Sequence, residues 1–115
     1  ESLDHFLFQC PKKLHVWCEV WQSYFVSVIF SEDAIRTALY RLSFPHTTSF
    51  VSLTDSHATI ASALLGIWCS HWLLVFQITP FVPSEVVRGV DRLIALSTQE
   101  NCLRQGLMHR AFLFN

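Results

Sequence analysis

The stretch Ile60–Ile78, I-A-S-A-L-L-G-I-W-C-S-H-W-L-L-V-F-Q-I, is the longest apolar run in the chain, and its reading decides the fold. Polar side chains interrupt it only at Ser62, Ser70, His71 and Gln77, which scatter around a helical wheel instead of sharing one face. A helix that is apolar nearly all round must be surrounded, either by sibling helices or by lipid. About twenty residues at roughly 1.5 Å each would cross a bilayer. The details argue against a span: His71 would lie deep in hydrocarbon, Trp68 and Trp72 fall in the interior, and no Lys or Arg brackets the ends. The expectation is therefore the central helix of a small all-α domain, with no membrane partner.

The 115 residues make one domain's worth of chain. Hydrophobic residues make up 51% and charged residues 15%, which leaves little polar surface for a lone monomer, so part of the apolar surface is expected to face another molecule. The net charge of −1 gives no general attraction to a phosphate backbone, and any nucleic-acid contact has to be local. Three glycines and four prolines disfavour a strand-and-turn architecture. Cys10, Cys18, Cys69 and Cys102 lie far apart, without a secretory signal at E-S-L-D-H, so they read as reduced thiols of an intracellular chain, nuclear or cytoplasmic. A start on Glu1 reads as processing or excision from a longer chain.

Outward from the apolar stretch, the spacing predicts three more helices. Pro11 opens the first, and Leu14, Trp17, Cys18, Trp21, Tyr24, Phe25, Val28 and Ile29 recur at intervals of three and four, predicting a helix to about Phe30. Its solvent face would carry Lys12, Lys13, His15, Glu19, Gln22 and Ser23. Ser31 with Glu32 and Asp33 reads as the capped start of a second helix that buries Ile35, Ala38, Leu39 and Leu42 and stops at Phe44-Pro45. The Ser/Thr-rich segment from Pro45 reads as a connection. Asp55 or Ser56 caps the apolar helix, Gly66 within it reads as room for a crossing helix, and Thr79-Pro80 ends it. Ser84-Glu85 opens a fourth helix with Val86, Val87, Val90, Leu93 and Ile94 inward, and a weaker helix with Gly106 follows from Asn101. The whole is expected to be a bundle of four main helices around the apolar one, residues 11–115, with an irregular arm at residues 1–10.

Chemistry-bearing residues are sparse. His5 and Cys10, separated by four residues with Pro11 closing the loop, are two of the four ligands a zinc site takes; His15 and Cys18 are the local candidates to complete it. Cys69 and His71 point about 200° apart on a helix and cannot share a metal ion. His46, His57 and His109 read as surface histidines. No serine elbow, glycine-rich phosphate loop or aspartate pair is present, and no catalytic residue is assigned. The pairs Lys12-Lys13, Arg36/Arg41, Arg88/Arg92 and Arg104/Arg110 read first as solvated helix faces and second as a phosphate track.

The opening E-S-L-D-H-F-L-F-Q-C-P-K-K-L-H-V-W resembles the zinc-binding segment near the C-terminus of reverse transcriptases of LINE-type (non-LTR) retrotransposons, particularly the fungal type. That family's pattern is an acidic lead-in, an apolar residue, a His, a short apolar run, Cys-Pro, and a Trp two turns on. Glu1, Leu3, His5, Phe6, Leu7, Phe8, Cys10, Pro11 and Trp17 match it, and L-L-G-I-W-C-S-H-W-L-L-V-F with P-F resembles the helix that follows. The likeness covers residues 1–17 and 60–82. It implies that His5 and Cys10 are the second zinc-ligand pair, that Lys12 and Lys13 can contact nucleic acid, and that the domain helps an RNA-directed DNA polymerase grip RNA or DNA. The family's first ligand pair, a Cys-x-x-Cys, would lie upstream of Glu1, so residues 1–10 hold half a site. Where the family carries basic residues near Trp68 and Trp72, this chain has Cys69, Ser70 and His71.

The expected function is therefore a non-catalytic accessory module of such a polymerase. The rival is a helical interaction domain, without metal or nucleic acid, whose excess apolar surface packs on a partner or on a second copy.

Overall fold

The computed structural model describes residues 2–25, 28–44 and 55–113, with side chains described as far as residue 104 except at 102. A π-helical turn, His5–Gln9, precedes four helices: α1 (Pro11–Tyr24), α2 (Glu32–Arg41), α3 (Ser56–Gln77) and α4 (Pro83–Leu113). No strand occurs among the described residues. The all-α bundle of four main helices is thus as the sequence leads one to expect. The Ser/Thr-rich connection lies outside the described residues.

The boundaries follow local chemistry. Ser31 Oγ accepts the Ala34 N–H at 3.0 Å and starts α2, with Glu32 and Asp33 in its first turn. Asp55, not Ser56, caps α3: its carboxylate accepts the His57 N–H at 3.0 Å. α1 ends at Tyr24, short of Phe30; Val28 and Ile29, expected inward, are exposed. Leu42, also expected inward, is 72% exposed because it leaves α2 in the left-handed conformation, φ 54°, and points off the bundle. Ile78 caps α3 in the same conformation, φ 55°, a placement that costs a β-branched residue about 1–2 kcal/mol.

Two expectations are corrected by helix where less regular chain was expected. The break near Asn101 does not form: α4 runs through it for 31 residues, roughly 46 Å. Gly106 alone costs about 1 kcal/mol, too little to stop a helix whose first turns are anchored. The arm expected to be irregular is helical. Ser2 Oγ accepts the His5 N–H at 3.1 Å, and the Cys10 N–H donates to the His5 carbonyl at 3.3 Å, closing the wide turn.

The apolar helix is not the centre of the bundle. α1 is: it touches the π-turn, α3 and α4, and Val16, Trp17, Val20 and Trp21 are at most 1% exposed. Around it lie Phe8, Phe25, Ile35, Ile60, Ala63, Ile67, Phe81, Val86, Val90 and Ile94. α3 buries only Thr59, Ile60, Ser62, Ala63 and Ile67. Its second half extends past α1 and is covered by α4 on one side, which leaves Trp68, Leu73, Leu74, Val75 and Phe76 exposed. A helix that is apolar on all sides stays exposed wherever no neighbour lies against it, and α4 is the main companion of α3 here. The molecule is correspondingly elongated, 55 × 32 × 21 Å.

Where α3 crosses α4, Gly66 fulfils the expectation of a close approach. A Cβ built on it would stand 2.6 Å from Val90 Cγ2. Tyr24 adds a polar tie between α1 and α4, its hydroxyl donating to Asp91 Oδ1 at 2.9 Å. Partial burial, then that carboxylate, push the Tyr24 hydroxyl pKa upward, so it stays a donor at neutral pH.

Candidate functional site

The residues of the opening motif fold into one unit. Pro11 starts α1 at its first position, where a missing N–H is harmless, and sends the chain back along the π-turn. Two turns into α1, the buried Trp17 donates its indole N–H to the Leu7 carbonyl at 3.1 Å. Lys13 donates to the Phe6 carbonyl at 2.7 Å, with its ammonium 4.5 Å from the centre of the Phe6 ring. The π-turn leaves carbonyls without helical partners, and these two side chains satisfy two of them.

Lys13 therefore does not sit on the solvent face that the spacing assigned to it. It is 5% exposed and holds the π-turn to α1, whereas Lys12 is exposed. The period of α1 puts residue 13 in line with Val16, Trp17 and Val20, and a lysine can bury its methylenes there provided its ammonium finds an acceptor.

His5 is exposed and Cys10 half-buried, at the two ends of the turn that the Cys10 N–H closes on the His5 carbonyl. The candidates to complete a local set do not join them: exposed His15 lies 3.7 Å from Glu19 along α1, and no three His, Cys, Asp or Glu among the described residues are placed to share one ion. Imidazole and thiol suit zinc by chemistry, but two of four ligands are a half-set; completed by another pair, the ion would pin the π-turn as a structural crosslink. Cys10, Cys18 and Cys69 are free thiols.

A second cluster lies between the π-turn and α3. Phe6, Leu7, Lys13, Leu64, Leu65, Ile67, Trp68 and His71 line an almost wholly apolar cavity of about 290 Å³. Phe6 is its hinge, edge-on to His71 at 4.8 Å and to Trp68 at 5.8 Å. The aromatic series continues along α3, Trp68 to Trp72 at 5.5 Å and Trp72 stacked on Phe76 at 5.3 Å. Sequence reasoning did not foresee this contact, because nothing in the order of residues says that Phe6 reaches His71. Cys69 is exposed and His71 half-buried, on different sides of α3 as their spacing requires.

The remaining cations are engaged variously. Arg36 bonds Asp33 at 2.9 Å and Asp4 at 3.3 Å and lies over the Phe8 ring; Arg104 bonds Glu100 at 2.7 Å; Arg88 and Arg92 border a polar depression with Glu85. His57 stacks on Phe44 at 5.0 Å. His46 and the side chains of Cys102, His109 and Arg110 lie outside the described residues.

Asp4 clamps the π-turn to α2, accepting from the Tyr40 hydroxyl and from Arg36. The Tyr40 hydrogen bond first, and Arg36 after it, outweigh desolvation and hold the Asp4 carboxyl below the usual carboxylate range. A depressed carboxyl contributes stability above its unfolded pKa and loses it as pH falls through the folded value. Wild type is expected to melt above Asp4→Asn at about pH 6, and the gap is expected to close on acidification. Thermal melts across the acid range check this; a gap unchanged at the acid end would remove the clamp.

No protein-family model, curated protein or solved structure matches this chain.

Proposed function

We propose that the chain is a non-catalytic accessory module of a retroelement-type reverse transcriptase, resembling the zinc-binding segment that helps such polymerases hold RNA or DNA. One observation carries the reading. The motif residues His5, Cys10, Pro11 and Trp17 act together: Pro11 turns the chain, Trp17 ties down Leu7, and His5 and Cys10 end up at opposite ends of one closed turn. A zinc knuckle needs that economy of chain, because two ligands must be held before a second pair can complete the tetrahedron. In this reading His5 and Cys10 are one ligand pair of zinc.

Lys12, exposed beside this turn, is the lysine available for phosphate contact, while Lys13 positions the turn. Fluorescence anisotropy with single-stranded and duplex RNA over a salt series tests the proposal. Binding is expected at low salt and is expected to weaken as salt rises. Lys12→Ala is expected to reduce the slope of log affinity against log salt by about 1 without sequence preference. An absence of binding at low salt would defeat the nucleic-acid role.

A further inference from the structure

We propose that the outward face of α3 is a homodimer interface, on which two copies of this chain pack α3 against α3 along Ala61, Leu65, Trp68, Trp72 and Val75. The inference is independent of the nucleic-acid reading.

These five residues follow one another at intervals of four, three, four and three, the spacing of a seam that meets another helix knobs into holes. On the helical wheel they lie opposite Ala63 and Ile67, which face the core. α3 therefore carries two apolar stripes: the bundle covers one, and of the second Trp68 and the half-buried Trp72 meet another element, the Phe6 ring of the π-turn at 5.8 and 6.5 Å. Leu65 is 49%, Trp68 51% and Val75 51% exposed, and Phe76 on the seam's flank is 75% exposed. With those exposures applied to side chains of roughly 150–250 Å², the stripe and Phe76 together offer about 500 Å² per copy, so a dimer would bury about 1,000 Å², the threshold of a specific interface. Trp72 is already stacked on Phe76 and edge-on to Trp68, so little side-chain freedom remains to be lost on association.

The chemistry of the face favours a second copy as its occupant. No Asp, Glu, Lys or Arg occurs between Asp55 and Glu85, so the stripe has no charge for a polar partner to match, and it meets its own image without like-charge repulsion. A helix lying on a membrane carries Lys or Arg on its polar face to meet anionic headgroups; α3 has neither. Full insertion would strip α3 from α4, where Gly66 and Val90 are in close contact.

The test is sedimentation equilibrium of the full chain in detergent-free buffer over roughly 1–200 µM, a range that brackets a micromolar dissociation constant. The mass is expected to rise from the 13.3 kDa of one chain to twice that value. Trp68→Glu is expected to weaken association by about 100-fold, and Leu103→Glu, at an exposed site on α4, to leave it unchanged. Far-UV circular dichroism checks that Trp68→Glu still folds; Val75→Glu serves as the second variant. Three results would each overturn the proposal: a single-chain mass at every concentration, dimers unaffected by both seam variants, or a wild-type chain that is dispersed only by detergent or phosphatidylcholine vesicles, which would make lipid the occupant.

Discussion

Replacing Trp17 by alanine is expected to cost about 3–5 kcal/mol, the loss associated with emptying the site of a fully buried tryptophan. Trp17 is 0% exposed at the middle of α1, in contact with the cluster that joins all four helices, so the cavity cannot collapse cheaply. The substitution also removes the donor to the Leu7 carbonyl. For a domain of this size that loss lowers the melting temperature by roughly 15 °C or more, and with a total stability of about 5–15 kcal/mol it leaves part of the population unfolded. Trp17→Phe separates the two effects: it keeps most of the packing and loses the hydrogen bond, at an expected cost of about 1–2 kcal/mol. Chemical denaturation of the three proteins checks the order. An alanine variant within 1 kcal/mol of wild type, by about the scatter of surface substitutions, would mean that α1 is not the centre of the fold.

The second large effect is expected at Gly66. Leucine there would drive α3 and α4 apart, because even the first atom of its side chain would stand 2.6 Å from Val90 Cγ2. Alanine isolates the contact. Helix propensity alone favours Gly66→Ala by about 1 kcal/mol, while overpacking a close crossing costs about 1–3 kcal/mol. The net expectation is destabilisation by about 1 kcal/mol, with Gly66→Leu costing about 3 kcal/mol or preventing folding. Removing the methyls that cause the conflict should relieve it, so Gly66→Ala in a Val90→Ala background is expected to be much milder than in wild type. A Gly66→Ala protein more stable than wild type would show that propensity wins and that the crossing is loose.

The two substitutions probe different parts of the same arrangement. Trp17 holds the motif-bearing turn to the bundle, and Gly66 holds the helix that carries the uncovered stripe. Loss of the first should abolish any function of the His5–Cys10 turn even where α3 and α4 remain helical. Loss of the second should disturb association through α3 while leaving the Trp17–Leu7 hydrogen bond intact. Comparing RNA binding and sedimentation in these variants thus separates the turn from the stripe.

Much of the fold was legible locally. Ser31 with two acids after it, Asp55 before an apolar run, Pro11, and Ser84-Glu85 one residue inside the start of α4 each mark a helix start through short-range chemistry that the residues carry with them. The period-3.6 spacing of Trp17, Trp21, Ile35 and Ala38 likewise identified buried positions that the structure confirms. The local signals failed where tertiary context decided. Val28 and Ile29 continue the spacing of α1, yet α1 has already ended, because periodicity cannot say where the chain runs out of neighbours. Lys13 carries a charge that the eye places outside, yet its position in the helical period is inward and its ammonium is satisfied by a carbonyl from another element.

The candidate site divides along the same line. Sequence order alone set His5, Cys10, Pro11 and Trp17 at their spacing and placed a helix start at Pro11 after an arm expected to be irregular. That His5 and Cys10 end one π-turn, that Trp17 locks it, and that Phe6 reaches across to His71 came only from packing. The apolarity of residues 60–78 was likewise set by sequence and demanded a covering. How much of that covering the chain provides for itself was decided by geometry: α1 took the centre because its two buried tryptophans fill the space among the helices, and α3 was left with a second apolar stripe beyond their reach.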